Sequence, residues 1–272
     1  MQLNEALSAI AQQFDLNADE LIAYAAEDPH DGWDEGRGSW VAGGVWRMEG
    51  QVLYALVRAL KLQRVVEFGT ADGCSATHIA EALKANGRGS LTCIDNNAAM
   101  GHGIPDELRE WVKLKAGLVG DFIGDSTWLK IDEAQYDFVF EDADHRSEPV
   151  ANVWRWAQQH VAFGGAVISH DAVHPAIGHL VKAGIEQSGA QGVRYYPLDA
   201  PPAEPPFLQS GMGFAIWRQN EQIEAPEVAN AEVAEPRRAT KKAGKGRKRT
   251  RPAKDTERQP AQRERQVTGS GS

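Results

Sequence analysis

The residues best suited to chemistry fall in three runs. The first, Val65-Val66-Glu67-Phe68-Gly69-Thr70-Ala71-Asp72-Gly73-Cys74-Ser75, reads as a buried strand, a glycine-containing turn and a helix start. Glycines 69 and 73 remove Cβ atoms where the backbone must approach a ligand, and the first turn of the following helix offers free N–H groups. A dinucleotide-binding turn is spaced Gly-x-Gly-x-x-Gly, whereas this one is Glu-x-Gly-x-x-x-Gly with an acid in front. That acid repels a diphosphate and favours a ligand with a cationic end. The next strand closes on Thr92-Cys93-Ile94-Asp95, which puts a carboxylate 22 residues past Gly73, where it can accept hydrogen bonds from ribose hydroxyls.

The other two runs end strands in ionisable groups. Tyr136-Asp137-Phe138-Val139-Phe140-Glu141-Asp142-Ala143-Asp144-His145 passes from apolar residues straight into acids and a histidine, and Gly164-Gly165-Ala166-Val167-Ile168-Ser169-His170-Asp171 ends the same way. Such groups at the end of a buried strand need a task or partners. Asp142, His170 and Asp171 meet the ligand requirements of a divalent ion, with oxygens favouring Mg and the imidazole admitting Mn, Fe or Zn. An ion there would lower the pKa of an acceptor hydroxyl, and His145, with Asp142 beside it, would take the proton. The competing reading has His145 and His170 bonding the carboxylates to anchor loops, with no metal. His174, three residues past Asp171, is an alternative ligand whose simpler reading is a loop or cap residue, and His78 and His160 read as histidines without chemistry.

Elements of alternating type must position these runs. Two amphipathic helical patterns fill residues 2–26, the first with Leu3, Leu7, Ile10, Ala11 and Phe14 on one face. Residues 28–45 are rich in Gly, Asp and Trp and read as a loop over a site, with Trp33, Trp40, Trp46 and Arg47 as cap or packing residues. A helix over 49–60 follows. Then come strand 65–68, helix 75–85, strand 91–95, a helical segment over 106–115, a strand ending near Ile123 and a short helix over 126–132. Strand 138–141, helix 149–160, strand 166–169 and helix 175–187 come next, and strands 193–196 and 213–217, joined by a Pro-rich loop, form an antiparallel edge. The predicted fold is α/β: a Rossmann-like three-layer sandwich with a mostly parallel seven-stranded sheet, an antiparallel edge and an N-terminal helical cover. In such a sheet ligands sit beyond the C-terminal ends of the strands, which gathers Gly69, Asp95, Asp142, His145, His170 and Asp171 on one rim.

Charge is divided along the chain. Residues 237–272 hold 13 Lys or Arg against three acids, which leaves 16 bases and 35 acids of the totals of 29 and 38 for residues 1–236. An acidic body repels a polyanion, so any nonspecific nucleic-acid contact should run through the tail, residues 237–265, which lacks aromatics for base stacking. Beyond residue 220 almost nothing apolar remains to offset ordering entropy, and disorder is predicted. The expected domains are thus 1–45 (helices and cap loop), 46–220 (ligand-binding domain) and 221–272 (tail). With only Cys74 and Cys93, neither in a CxxC or CxxH spacing, a disulfide framework and a zinc site are not expected. The lack of an export signal or a long apolar stretch reads as a soluble, cytoplasmic chain without membrane contact, for which an oligomer remains open.

Over residues 45–218 the chain resembles the class I S-adenosylmethionine-dependent methyltransferases, within them the small-molecule O-methyltransferase-like group. The resemblance implies S-adenosylmethionine as cofactor, held by Glu67, Gly69, Thr70, Gly73, Ser75 and Asp95. Gly124-Asp125-Ser126 matches the turn whose Asp125 and Ser126 would sit beside the adenine; as a dipeptide it is equally good as a helix N-cap. Metal-dependent catechol and sugar O-methyltransferases place an Asp where Asp142 stands and an acidic pair at the next strand. Asp171 matches one of that pair, and His170 departs from it. Asp142-x-x-His145 is similar to the Asp and base His of the sugar enzymes. The implied reaction is methyl transfer to a hydroxyl of a small acceptor, sugar or phenolic. No Asn-Pro-Pro-Tyr or Asp-Pro-Pro-Tyr follows strand 138–141, which argues against amino-methylation of DNA bases. The rival reading is a nucleic-acid-associated methyltransferase-like protein tethered by the basic tail.

Overall fold

The computed structural model describes residues 1–30, 44–120, 135–199 and 213–220. All belong to the first of two compact units, Met1–Pro226 and Glu227–Ser272. Trp33, Trp40, Asp125, Ser126, the strand ending near Ile123, the helix over 126–132 and the whole tail lie outside the described residues.

Seven strands form one sheet in the order β3-β2-β1-β4-β5-β7-β6, where β1 is Arg64–Phe68, β2 Ser90–Asp95, β3 Val112–Ala116, β4 Tyr136–Glu141, β5 Val161–Ser169, β6 Arg194–Pro197 and β7 Gly213–Arg218. Strands β1 to β5 run parallel, and β7 pairs antiparallel with both β5 and β6. The expected sheet, with its antiparallel edge, is present. One assignment changes in part: the helical segment expected over 106–115 is helical only in its first half. A 3-10 helix occupies Asp106–Trp111, and the chain then becomes β3. Val112-Lys113-Leu114-Lys115 is a short edge strand with two lysines, and Leu114 is exposed along with Lys113.

Side chains alternate between two apolar layers because a strand repeats every two residues. Val65, Phe138, Phe140, Ile168 and Ile216 enter one layer, and Val66, Phe68, Val139, Val167 and Ala215 the other. The first is covered by helices α1 (Leu3–Phe14), α2 (Ala18–Glu27), α3 (Arg47–Leu60) and α4 (Cys74–Asn86), and the second by α5 (Ser147–His160) and α6 (Gly178–Ser188). The N-terminal helices therefore share the core of the sheet. Their ends are set locally: Asn17 Oδ1 accepts from the N–H groups of Asp19 and Glu20, and Glu5 caps the Gln2 N–H. Trp46 precedes α3 and packs on the same core. No helix among the described residues is long and apolar enough to cross a membrane.

The same alternation decides where Glu67 goes. Lying between Val66 and Phe68, it projects into the layer covered by α3 and α4 and is fully buried.

Candidate active site

The turn after β1 is fastened on all sides by backbone. Gly69 N–H donates to Ile94 O at 2.8 Å, Gly101 N–H to Ala71 O at 2.7 Å and Gly103 N–H to Asp72 O at 2.9 Å. Gly69 has φ +87° and Gly73 φ +98°, conformations open chiefly to glycine. Space is also short: a Cβ on Gly69 would fall 2.1 Å from the Asp142 carbonyl oxygen. This close approach ties the turn to the end of β4.

Asp95 holds the turn as well as facing outward. Its Oδ2 accepts from Thr70 N–H at 2.9 Å and Ala71 N–H at 2.8 Å, and Oδ1 accepts from Asn97 N–H at 2.8 Å. Oδ1, with a single bond, keeps a lone pair for a ligand. Glu67 lies behind the turn. Ser75 Oγ donates to its Oε1 at 2.5 Å, while Oε2 has no aligned partner although Thr70 and Cys93 approach it. Burial raises the Glu67 carboxyl to about 7 against the bond from Ser75.

A cavity of about 570 Å³ opens at the C-terminal rim, within the range of small-ligand sites. Gly69, Ala71, Asp95 and Asn96 line one side, and Asp142, His145, Asp171 and Asn152 another. The sequence-predicted residues Gly69, Asp95, Asp142, His145 and Asp171 therefore share one pocket. Glu67, Ser75 and His170 are buried outside its lining.

Beside the cavity, two imidazoles and three carboxylates interlock. His145 Nε2 lies 3.3 Å from Asp142 Oδ1 and 3.1 Å from Asp171 Oδ2. His170 Nδ1 lies 3.1 Å from Asp142 Oδ1, and its Nε2 stands 3.0 Å from Glu49 Oε2, a charge contact off the line of a hydrogen bond. Glu49 in turn accepts from Trp46 N–H at 3.0 Å and Gly213 N–H at 2.7 Å. Burial works against charge on both imidazoles, but the carboxylates outweigh it. Asp142 and Asp171 raise His145 to about 10, and Glu49 and Asp142 hold His170 well above its ordinary value. Burial tends to raise Asp171, yet the bond from His145 and the charge of His170 bring it below the usual carboxylate range. Below the rim, Trp154 Nε1 donates to Ser169 Oγ at 2.7 Å and Ser169 to Glu141 Oε2 at 2.6 Å, and burial raises Glu141 to about 7.

Two consequences bear on the expected roles. A His145 that keeps its proton to about pH 10 cannot accept another at neutral pH, so it becomes a base only where Asp142 and Asp171 are engaged elsewhere. Asp142, His170 and Asp171 offer donor atoms within 4.8 Å of one another, and Asp171 Oδ1 is buried without a hydrogen bond. They are compact enough for a divalent ion, and the histidines neutralise them meanwhile. His174 is a cap: its Nδ1 accepts from Ala176 N–H at 3.1 Å. Sequence reasoning missed Glu49, whose signal was an acid at the third position of a helix that otherwise faces inward.

Residues 66–172 match the family model described as a methyltransferase domain. Over those residues the chain is similar to methyltransferase domains. The fold agrees with solved structures of such domains. The O-methyltransferase TomG from Streptomyces achromogenes, involved in tomaymycin synthesis and solved with SAM, is 21% identical with a TM-score of 0.50, over 79% of this chain and 87% of that one. The O-methyltransferase from Bacillus cereus, solved with SAH, is 17% identical with a TM-score of 0.52, over 77% and 94%. Cofactor-bound Rv0187 from MTB is 18% identical with a TM-score of 0.51, over 74% and 88%. Comparison with curated proteins by sequence finds no match. At these identities the solved structures bear on fold, and this chain's own side chains must carry the rest.

Proposed function

We propose that this domain transfers the methyl group of S-adenosylmethionine to a hydroxyl oxygen of a small molecule, of sugar or phenolic type. The observation that carries the reading is Glu67: a buried carboxylate with one unpartnered oxygen, directly behind the glycine turn that lines the cavity. A buried acid of this kind gains from a nearby cation. The sulfonium cofactor supplies an electrophilic methyl group. Glu67 favours its positive charge from beneath the turn, Ser75 fixes the Glu67 carboxylate, and Asp95 on the cavity wall accepts from the ribose hydroxyls. Thr70 and Ala71 are positioned by the same Asp95.

The acceptor belongs on the opposite wall, beside Asp142 and His145. Asp142, His170 and Asp171 would hold a divalent ion, which would supply acidification of the acceptor hydroxyl. His145, beside Asp142 and Asp171, would take the hydroxyl proton once those carboxylates are engaged elsewhere. TomG and the Bacillus cereus protein, named as O-methyltransferases, support the choice of oxygen as acceptor.

Calorimetry with S-adenosylmethionine against NAD tests the cofactor: binding of the first and not the second is expected. No uptake of S-adenosylmethionine or of its demethylated product overturns the assignment. Incubation with labelled cofactor and a panel of phenols and sugars should then yield an O-methylated product.

A further inference from the structure

A second cluster of metal-ligating side chains lies away from the rim, between the N-terminal cover and the start of α4. Cys74 and His78 are one helical turn apart on α4 and so share a face. His30, just past α2, brings its ring centroid to 4.7 Å from that of His78. One ligand atom from each of His30, Cys74 and His78 lies within 4.8 Å of the others.

The surroundings of His78 resemble a metal ligand's support. Its Nδ1 lies 2.6 Å from Asp28 Oδ2, and both side chains are fully buried. The other oxygen of Asp28 accepts from the backbone N–H of His30 at 3.1 Å, so one carboxylate orients the His78 ring and fixes the backbone of His30. With Nδ1 thus engaged, the opposite nitrogen, Nε2, is buried and has no hydrogen-bond partner. A carboxylate on one imidazole nitrogen that leaves the other free to ligate is the usual outer support of a zinc histidine.

Room for the ring comes from Gly50 on α3. A Cβ there would fall 2.1 Å from His78 Nε2 and 2.4 Å from each carbon flanking it. Near-equal distances of that size place the methyl over the ring face, not in its plane. The in-plane lone pair of Nε2 is therefore not aimed at the α3 backbone.

We propose that His30, Cys74 and His78 form a zinc site, with Asp28 as its supporting carboxylate, that pins the end of the N-terminal cover to the first turn of the cofactor helix. One thiolate and two imidazoles are the soft and borderline ligands that zinc takes, and three protein ligands leave one tetrahedral position for water. Bonds of about 2.3 Å to sulfur and 2.0–2.1 Å to nitrogen require the donor atoms to draw together by roughly 1 Å. His30, half-buried, provides the route of entry. The carboxyl groups of Glu67, Glu49 and Asp28 lie around Cys74 and attract a cation. The proposal does not depend on the methyl-transfer reading.

Cobalt titration of metal-free, full-length protein tests it, because a thiolate ligand gives a sulfur-to-cobalt charge-transfer band in the near ultraviolet. Asp142, His170 and Asp171 offer only oxygen and nitrogen, so the band reads this cluster alone. The expected result is a band saturating at one equivalent, displaced by zinc, lost in Cys74→Ser and requiring tenfold to a hundredfold more metal in Asp28→Asn. No band in the wild type overturns the site, as does a band that persists in Cys74→Ser. Should Cys74→Ser not fold, His30→Gln decides: a tenfold or greater loss of affinity supports the site, and an unchanged affinity overturns it.

Discussion

His145 Nε2 lies 3.1 Å from Asp171 Oδ2, and Asp171 holds that position with a left-handed backbone, φ +55°. A non-glycine residue there costs of order 1 kcal/mol, so the surrounding structure must impose it. The pair places an imidazole at the cavity wall where an acceptor hydroxyl would arrive. His145→Ala should lower methyl transfer by about 100-fold or more while cofactor affinity stays nearly unchanged, since the ion pairs of His145 run to Asp142 and Asp171. Turnover within about tenfold of wild type, measured with labelled cofactor, removes His145 as the base.

The glycine turn and the β4 end cannot be altered separately. Gly69→Ala would set a methyl against the Asp142 carbonyl at 2.1 Å and force alanine to φ +87°. Strain and overpacking together should cost at least about 2 kcal/mol and displace Asp142. Thermal unfolding should record the loss, and calorimetry a fall in S-adenosylmethionine affinity beyond tenfold. A variant with wild-type melting and affinity shows that the turn opens more freely than its contacts indicate.

Much of this site was legible because strand alternation and chain order are local signals. The run from Val65 to Ser75 gave strand, turn and helix, and a parallel sheet forces the ends of β1, β2, β4 and β5 to one rim. Partners were not legible where they depend on packing between distant elements. Glu49 reaches His170 only because α3 crosses the sheet above the end of β5. His78 and Cys74 looked unremarkable because their third member, His30, sits 44 residues before Cys74. Strand β3 reads as the continuation of a helical segment because its two lysines and three apolar residues fit either period over five residues.

Metal dependence should follow the acid cluster. Removing divalent ions with a chelator and restoring Mg or Mn should change methyl transfer at least tenfold, and Asp171→Asn should abolish the response. Because chelation also reaches the cluster at Cys74, Cys74→Ser serves as the control and should retain the Mg response. Equal rates with and without ions, in wild type and Asp171→Asn alike, would show that the histidines alone neutralise the carboxylates throughout catalysis.

Glu67 links pH to both stability and cofactor binding. Its carboxyl titrates at about 7 when folded against 4.5 ordinarily, so between those values the folded state holds a proton that the unfolded state has released. Stability must then fall as pH rises through that window, by up to about 3 kcal/mol for this group, and Glu141, also at about 7, adds to the same slope. Cofactor affinity should move the opposite way. The cationic ligand favours ionised Glu67, so affinity should rise as pH passes from 6 to 8, while Glu67→Gln, which keeps the bond from Ser75, should flatten that rise and weaken binding roughly tenfold to a hundredfold at pH 8. Denaturant unfolding at several pH values and calorimetry across the same range check both halves. A Glu67→Gln variant with wild-type slope and affinity would mean that the buried acid is not electrically coupled to the cofactor.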